Sequence, residues 1–162
     1  MPWVVNPDLP DVGLKVLRVS QETGYISLMV RHNGVAHPHN HIGGSDFLVL
    51  EGRLGVRAGP PEGYGPGTWV YEPSGARHDA SQRTTDEDLI YTANVYGPLF
   101  FDSGPGTPVA AVLSWMEYVA LAEAGGSKQC AKLIKDWPNL DADLLEKIGA
   151  AWEEPAQQGE QM

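Results

Sequence analysis

Three histidines in alternation, His37, His39 and His41, are followed some way downstream by a second cluster, Glu72, Pro73, Ser74, Gly75, Ala76, Arg77 and His78. Alternate residues of an extended strand point to one side of a sheet, so the first run can aim two imidazoles at one point. His78 is the natural third donor. Imidazole nitrogen favours zinc, iron, nickel or copper over magnesium or calcium, so this pattern points to a transition metal that holds a small molecule. Positioning such a site takes short strands joined by tight corners, and glycines with Pro73 stand where those corners fall.

A chain of 162 residues, 42% hydrophobic, suffices for one hydrophobic core and falls short of two. One domain with a terminal appendage is expected. Formal charge is −10, from 21 acidic and 11 basic residues, and Lys and Arg form no stripe. Phosphate backbones need concentrated positive charge, so neither nucleic acid nor an anionic membrane is expected as a partner. No apolar run approaches a membrane span, and the N-terminus lacks a basic segment leading to a small-residue cleavage site. A cytoplasmic location is the expectation. Cys130, the single cysteine, excludes an intrachain disulfide and a tetrathiolate metal site within one chain, and reads as an ordinary helix residue.

Residues 14–20 and 25–31 are β-rich runs around a turn ending in Gly24, a hairpin signature. Further strands are predicted at 47–51, 54–58, 68–72, 88–95, 99–102 and 109–113, separated by corners such as Gly59-Pro60-Pro61 and Gly65-Pro66-Gly67. Short strands with such corners indicate an all-β sandwich or small barrel, whose interior is a natural ligand cavity. The character changes near Ser114. Helices are predicted from Trp115 to Ala124, from about Ser127 to Asp136, and from about Asp141 to Ala151 or Trp152. The expected organisation is therefore a β-domain over 1–114, a helical extension over 115–152 and a disordered tail over 153–162. The helices carry more apolar surface than they can hide alone, so packing on the barrel or formation of a homodimer is expected.

The residues now resemble the cupin superfamily. Its second motif appears here as Gly67, Pro73, Gly75 and His78, with Gln82 at the usual asparagine place. Gly52 matches the closing glycine of the first motif, and counting back from it selects His39 and His41 as the ligand pair. The resemblance implies an all-β cupin, a double-stranded β-helix or jelly-roll barrel, with a C-terminal helical appendage. Many cupins also place glutamate after the histidine pair, but Ser45 stands at that place and Asp46 one residue on. A slip of one residue reverses facing on a strand, so both cannot point inward without a bulge. A three-histidine site is favoured over one in which Asp46 is a fourth ligand.

Pro38-His39-Asn40-His41, Leu50-Glu51-Gly52 and Tyr71-Glu72-Pro73-Ser74-Gly75 through His78 resemble, more narrowly, the cupins that include dihydroxyacetophenone dioxygenase and acetylacetone dioxygenase. That likeness implies non-haem Fe(II) on His39, His41 and His78, with Glu72 near the metal but not bound to it, and cleavage by molecular oxygen of a carbon–carbon bond beside a carbonyl. Glu72, the candidate catalytic residue, could receive a proton, orient an imidazole or pair with Arg53 or Arg77. The implied substrate is a small β-diketone or hydroxylated aryl ketone. Zinc, nickel or manganese are alternative ions, and a zinc or nickel isomerase or a noncatalytic binding cupin are alternative functions. Phe47, Val49, Trp69, Tyr71, Tyr91 and Tyr96 are candidate cavity walls, and Tyr91, Tyr96 or Arg57 could orient a substrate oxygen. His32 and His37 read as packing or exposed residues.

Overall fold

Alternation of apolar residues dictates the inner face of the long strands, and the computed structural model, which describes residues 2–5, 10–79 and 81–126, follows it closely. β1 (Val4–Val5) is a short edge piece beside β2 (Val12–Val19), which forms the expected hairpin with β3 (Tyr25–His32). In β3, Ile26, Leu28, Val30 and His32 are buried while the residues between them are only partly covered. β4 (His39–His41) carries two of the clustered histidines and β5 (Ser45–Glu51) buries Ser45, Phe47 and Val49. Next come β6 (Leu54–Gly55), β7 (Trp69–Glu72), β8 (Arg77–His78) and β9 (Gln82–Arg83). β10 (Leu89–Tyr96), β11 (Leu99–Asp102) and β12 (Val109–Leu113) complete the strands.

Every pairing is antiparallel. Six strands form one sheet in the order β1-β2-β3-β10-β5-β7, four form a second in the order β12-β11-β4-β8, and β6 with β9 makes a small ribbon. The result is a small jelly-roll barrel. Ile26, Leu28, Phe47, Val95 and Leu99 belong to its main core, with Val49, Leu54 and Leu89 as a satellite cluster.

Helix α1 (Trp115–Ala124) has the bounds its sequence predicts. Ser114 caps it: the Ser114 hydroxyl accepts from the Met116 N–H, and the Glu117 carboxylate accepts from the Ser114 N–H at 2.7 Å. Its buried face, Tyr118, Val119 and Ala122, joins the barrel core, and the helix packs on β1, β2 and β12. The helices predicted beyond Gly126, Cys130 and the polar tail lie outside the described residues.

Two strand expectations need correction. The run 54–58 pairs only over Leu54–Gly55, because the chain then turns on itself: the Gly59 N–H donates to the Val56 carbonyl and the Gly63 N–H to the Pro60 carbonyl, each at 2.9 Å. β1 and β9 were not foreseen, since a strand of two residues is too short to display an alternation. Among the described residues no helix is long and apolar enough to cross a membrane.

Candidate metal centre

β4 and β8 lie side by side with His39 opposite His78 and Asn40 opposite Arg77. A hydrogen-bonded corner sets this register. The Ala76 N–H donates to the Pro73 carbonyl at 3.0 Å, the Gly75 N–H to the His41 carbonyl at 2.8 Å, and the His41 N–H to the Ala76 carbonyl at 3.0 Å. Gly75 takes φ +79 in this corner, a conformation that a β-carbon would strain. Between the strands, the ring centroids of His39 lie 5.1 Å from those of His41 and His78, and the latter two are 4.9 Å apart. One nitrogen of each ring lies within 4.8 Å of the others, a grouping able to hold a metal ion.

Alternation sends Asn40 and Arg77 to the reverse side of these strands, where Asp102 of β11 collects them. Its carboxylate accepts from Asn40 Nδ2 at 2.9 Å, from an Arg77 nitrogen at 2.6 Å and from the Gly104 N–H at 3.0 Å. The Arg77 guanidinium holds the Asp102 carboxyl below its ordinary range, so the tie is ionic at neutral pH. Three strands are thereby fastened behind the histidines.

The protonation states of His39 and His41 suit ligation. His39 Nδ1 lies 2.7 Å from the His37 carbonyl, and only a protonated nitrogen can donate there, which leaves the lone pair on Nε2. His78 Nδ1 lies 3.0 Å from Ser81 Oγ. Burial lowers His39 to about 4, against the opposing pull of its carbonyl bond, and lowers His41 to about 3 with help from the two neighbouring histidines. Neutral imidazole is the form a metal binds. His41 is 2% exposed and neither of its ring nitrogens has a hydrogen-bond partner among the described residues. Buried nitrogens left unpaired cost about 1–3 kcal/mol, a cost that a bound cation removes from the ligating nitrogen, so the donor set fits a metal.

Glu72 reaches the same point from β7. Its Oε2 is 2.6 Å from His78 Nε2 and 3.5 Å from His41 Nε2, and it accepts from Ser45 Oγ at 3.1 Å. Ser45 sits opposite Glu72 in the β5–β7 register. A serine therefore occupies the place where many cupins have glutamate, and the neighbouring strand supplies the carboxylate. Asp46 is turned away: it accepts from Asn94 Nδ2 at 2.8 Å and from the Tyr96 hydroxyl at 2.9 Å, apart from the histidine group. The Asp46 alternative is corrected on that ground, since no bulge intervenes to bring Ser45 and Asp46 to one face.

The histidines and Glu72 share a cavity inside the barrel that leaves about 120 Å³ for the centres of water-sized molecules. One water needs only ~10–15 Å³ by that measure, so the space suits a small organic molecule. Of the candidate walls, Phe47 and Tyr91 line it. Val49 packs instead in the satellite core. Trp69, Tyr71 and Tyr96 stand out of phase with the inward residues of their strands and are exposed, Trp69 stacking on Tyr71 with centroids 6.0 Å apart. Arg57 lies beyond β6 in the loop, 73% exposed and paired with Asp79 at 2.6 Å. His32, Phe101 and Tyr118 also line the cavity and were missed. The phase of Ile26, Leu28, Val30 and His32 could have found the first of these.

An antiparallel jelly-roll whose interior gathers three histidines on an apolar cavity defines a cupin. The chain belongs to the ChrR cupin-like family, whose domain model matches residues 1–97. Its structure resembles an acetylacetone dioxygenase from Acinetobacter johnsonii at 23% identity and TM-score 0.66, over 75% of this chain and 85% of that one. An RmlC-like cupin protein from Ralstonia eutropha JMP134 is similar at 22% identity and TM-score 0.65, over 77% and 83%. A cupin-like protein of unknown function from the same organism aligns at 13% identity and TM-score 0.67, over 79% and 81%. Identities this low show a shared fold. The sequence matches none of the curated proteins.

Proposed function

We propose that the protein is a dioxygenase that binds ferrous iron through His39, His41 and His78 and cleaves a carbon–carbon bond beside a carbonyl in a small β-diketone or hydroxylated aryl ketone. One observation carries this reading: the Glu72 carboxylate stands 2.6 Å from His78 Nε2 and 3.5 Å from His41 Nε2, on the same cavity. A proton acceptor beside an open donor set is what the chemistry needs. The acetylacetone dioxygenase of Acinetobacter johnsonii supports it as a relative in fold. Among the described residues no lysine or arginine lines the cavity, which disfavours phosphorylated sugars and other anions.

Iron, when bound, would supply oxygen activation and the Lewis acidity that makes a chelating enolate easier to form. The chain does the rest. Glu72 accepts the proton lost as a diketone or hydroxy-ketone becomes an enolate, and Ser45 keeps the receiving oxygen in place by donating to Oε2. Asp102 holds β4 and β8 from behind, so His39 and His78 keep their aim. Phe47, Leu99 and Phe101 make the surrounding wall apolar, which favours a substrate with little charge and excludes water from it.

The test is metal analysis of purified protein, then anaerobic loading with ferrous iron and an oxygen-uptake screen over β-diketones and hydroxylated aryl ketones. Iron at one per chain with substrate-dependent uptake is expected. Zinc or nickel with no uptake would replace this reading with an isomerase or a binding cupin.

A further inference from the structure

His32 and Tyr91 have no part in the site described so far, yet both enter its cavity. β3 puts His32 in phase with Ile26, Leu28 and Val30, and β10 puts Tyr91 in phase with Leu89, Ala93 and Val95. Tyr91 meets Phe47 edge-on with centroids 5.6 Å apart, and Phe47 in turn lies 6.3 Å from His41. Of the other hydroxyls nearby, Ser45 is committed to Glu72 and Ser81 to His78, while Tyr118 enters the cavity from α1. The Tyr91 hydroxyl has His32 Nδ1 at 3.5 Å, the outer limit of a hydrogen bond. His32 itself is 1% exposed, and its Nε2 has no hydrogen-bond partner among the described residues. A polar pair left this loosely satisfied inside an apolar barrel calls for an explanation, and a ligand oxygen supplies one. Burial, together with the charge of Glu72, pushes the Tyr91 phenol above its ordinary value and keeps it a donor.

We propose that Tyr91, backed by His32, determines specificity: its hydroxyl donates to a substrate oxygen that the metal does not hold, which selects an aryl ketone bearing a further hydroxyl over one that lacks it. Aromatic walls agree with an aryl group, since Phe101 lies 5.2 Å from His39 and Phe47 also lines the cavity. The inference rests on the proposed metal-dependent function and narrows its substrate.

Two probes test it, 2-hydroxyacetophenone and 2,4′-dihydroxyacetophenone, which share a chelating end and differ by one phenolic hydroxyl. The full chain, loaded with redox-silent zinc, is titrated with each by calorimetry. Wild type should favour the dihydroxy compound by about tenfold, the size of one well-placed hydrogen bond. Tyr91→Phe should erase that preference, keep the metal and bind the monohydroxy compound within about twofold of wild type. His32→Leu should weaken the preference and His32→Asn, which retains a polar atom near the Nδ1 position, should restore part of it. A preference that survives Tyr91→Phe, or a wild type that shows none, overturns this inference alone. Wild type that binds neither compound overturns the proposed function as well.

Discussion

The inner and outer faces of β5, β7 and β10 carry similar chemistry to opposite ends. Outside, Asp46, Asn94, Tyr25 and Tyr96 form a closed lattice: Tyr25 and Ser27 donate to Asn94 Oδ1 at 2.8 and 3.0 Å, and Asn94 and Tyr96 both donate to Asp46. Inside, His41 has two unpartnered nitrogens and His32 one, and Glu72 crowds two imidazoles. The carboxylates differ by phase alone. An exposed lattice that satisfies itself is structural glue between strands, whereas polar atoms left open in an apolar interior mark the place where a ligand completes the set.

The sharpest break of this contrast removes one residue from each face. His39→Ala or His78→Ala should abolish tight metal occupancy, while Asp46→Ala should leave stoichiometry at the wild-type level. Metal content after dialysis reads the difference. Full occupancy in either histidine variant, or loss in Asp46→Ala, would reverse the assignment of faces.

A smaller effect separates two roles for the inner carboxylate. Glu72→Gln keeps the shape and the hydrogen bond from Ser45 but cannot accept a proton, so iron should remain while turnover falls by about 10²–10⁴. Loss of iron from this variant would make Glu72 a ligand. The oxygen-uptake rate normalised to bound iron distinguishes these outcomes.

How far the inner face was legible depended on period. Long strands such as β3 and β10 display their alternation, and the glycines and prolines mark the corners, so the barrel, the bounds of α1 and the His39, His41 and His78 grouping could all be read. Phase was harder where the strand was short. Trp69, Tyr71 and Tyr96 are as aromatic as Phe47 and Tyr91, and only the β5–β7 and β5–β10 registers decide which enter the barrel. Arg57 was misplaced because the strand predicted over 54–58 ends at Gly55. Glu72 was placed beside the histidines by its motif, but its pairing opposite Ser45, the residue at the usual glutamate place, is a cross-strand relation that a linear count cannot show. His32 was visible in phase but its chemistry was not, because a histidine in an apolar strand is usually packing.

The mildest distinction between the faces is their response to acid. Burial lowers His32 and His39 to about 4 and His41 to about 3, against about 6.5 in an unfolded chain. The unfolded chain therefore binds more protons than the folded one as pH drops below about 6.5, so the stability contributed by these neutral rings is complete above that pH. It is lost as pH falls toward about 4 for His32 and His39 and about 3 for His41, with a slope of up to about 1.4 kcal/mol per pH unit for each ring. Thermal melting of metal-free protein between about pH 7.5 and about pH 4.5, which spans the upper part of that range, should thus show a falling midpoint. His32→Asn should flatten the fall, because one of the three rings no longer titrates. An equal slope in wild type and this variant would mean that His32 is hydrated when the protein is folded, and the inner face would then be as well satisfied as the outer.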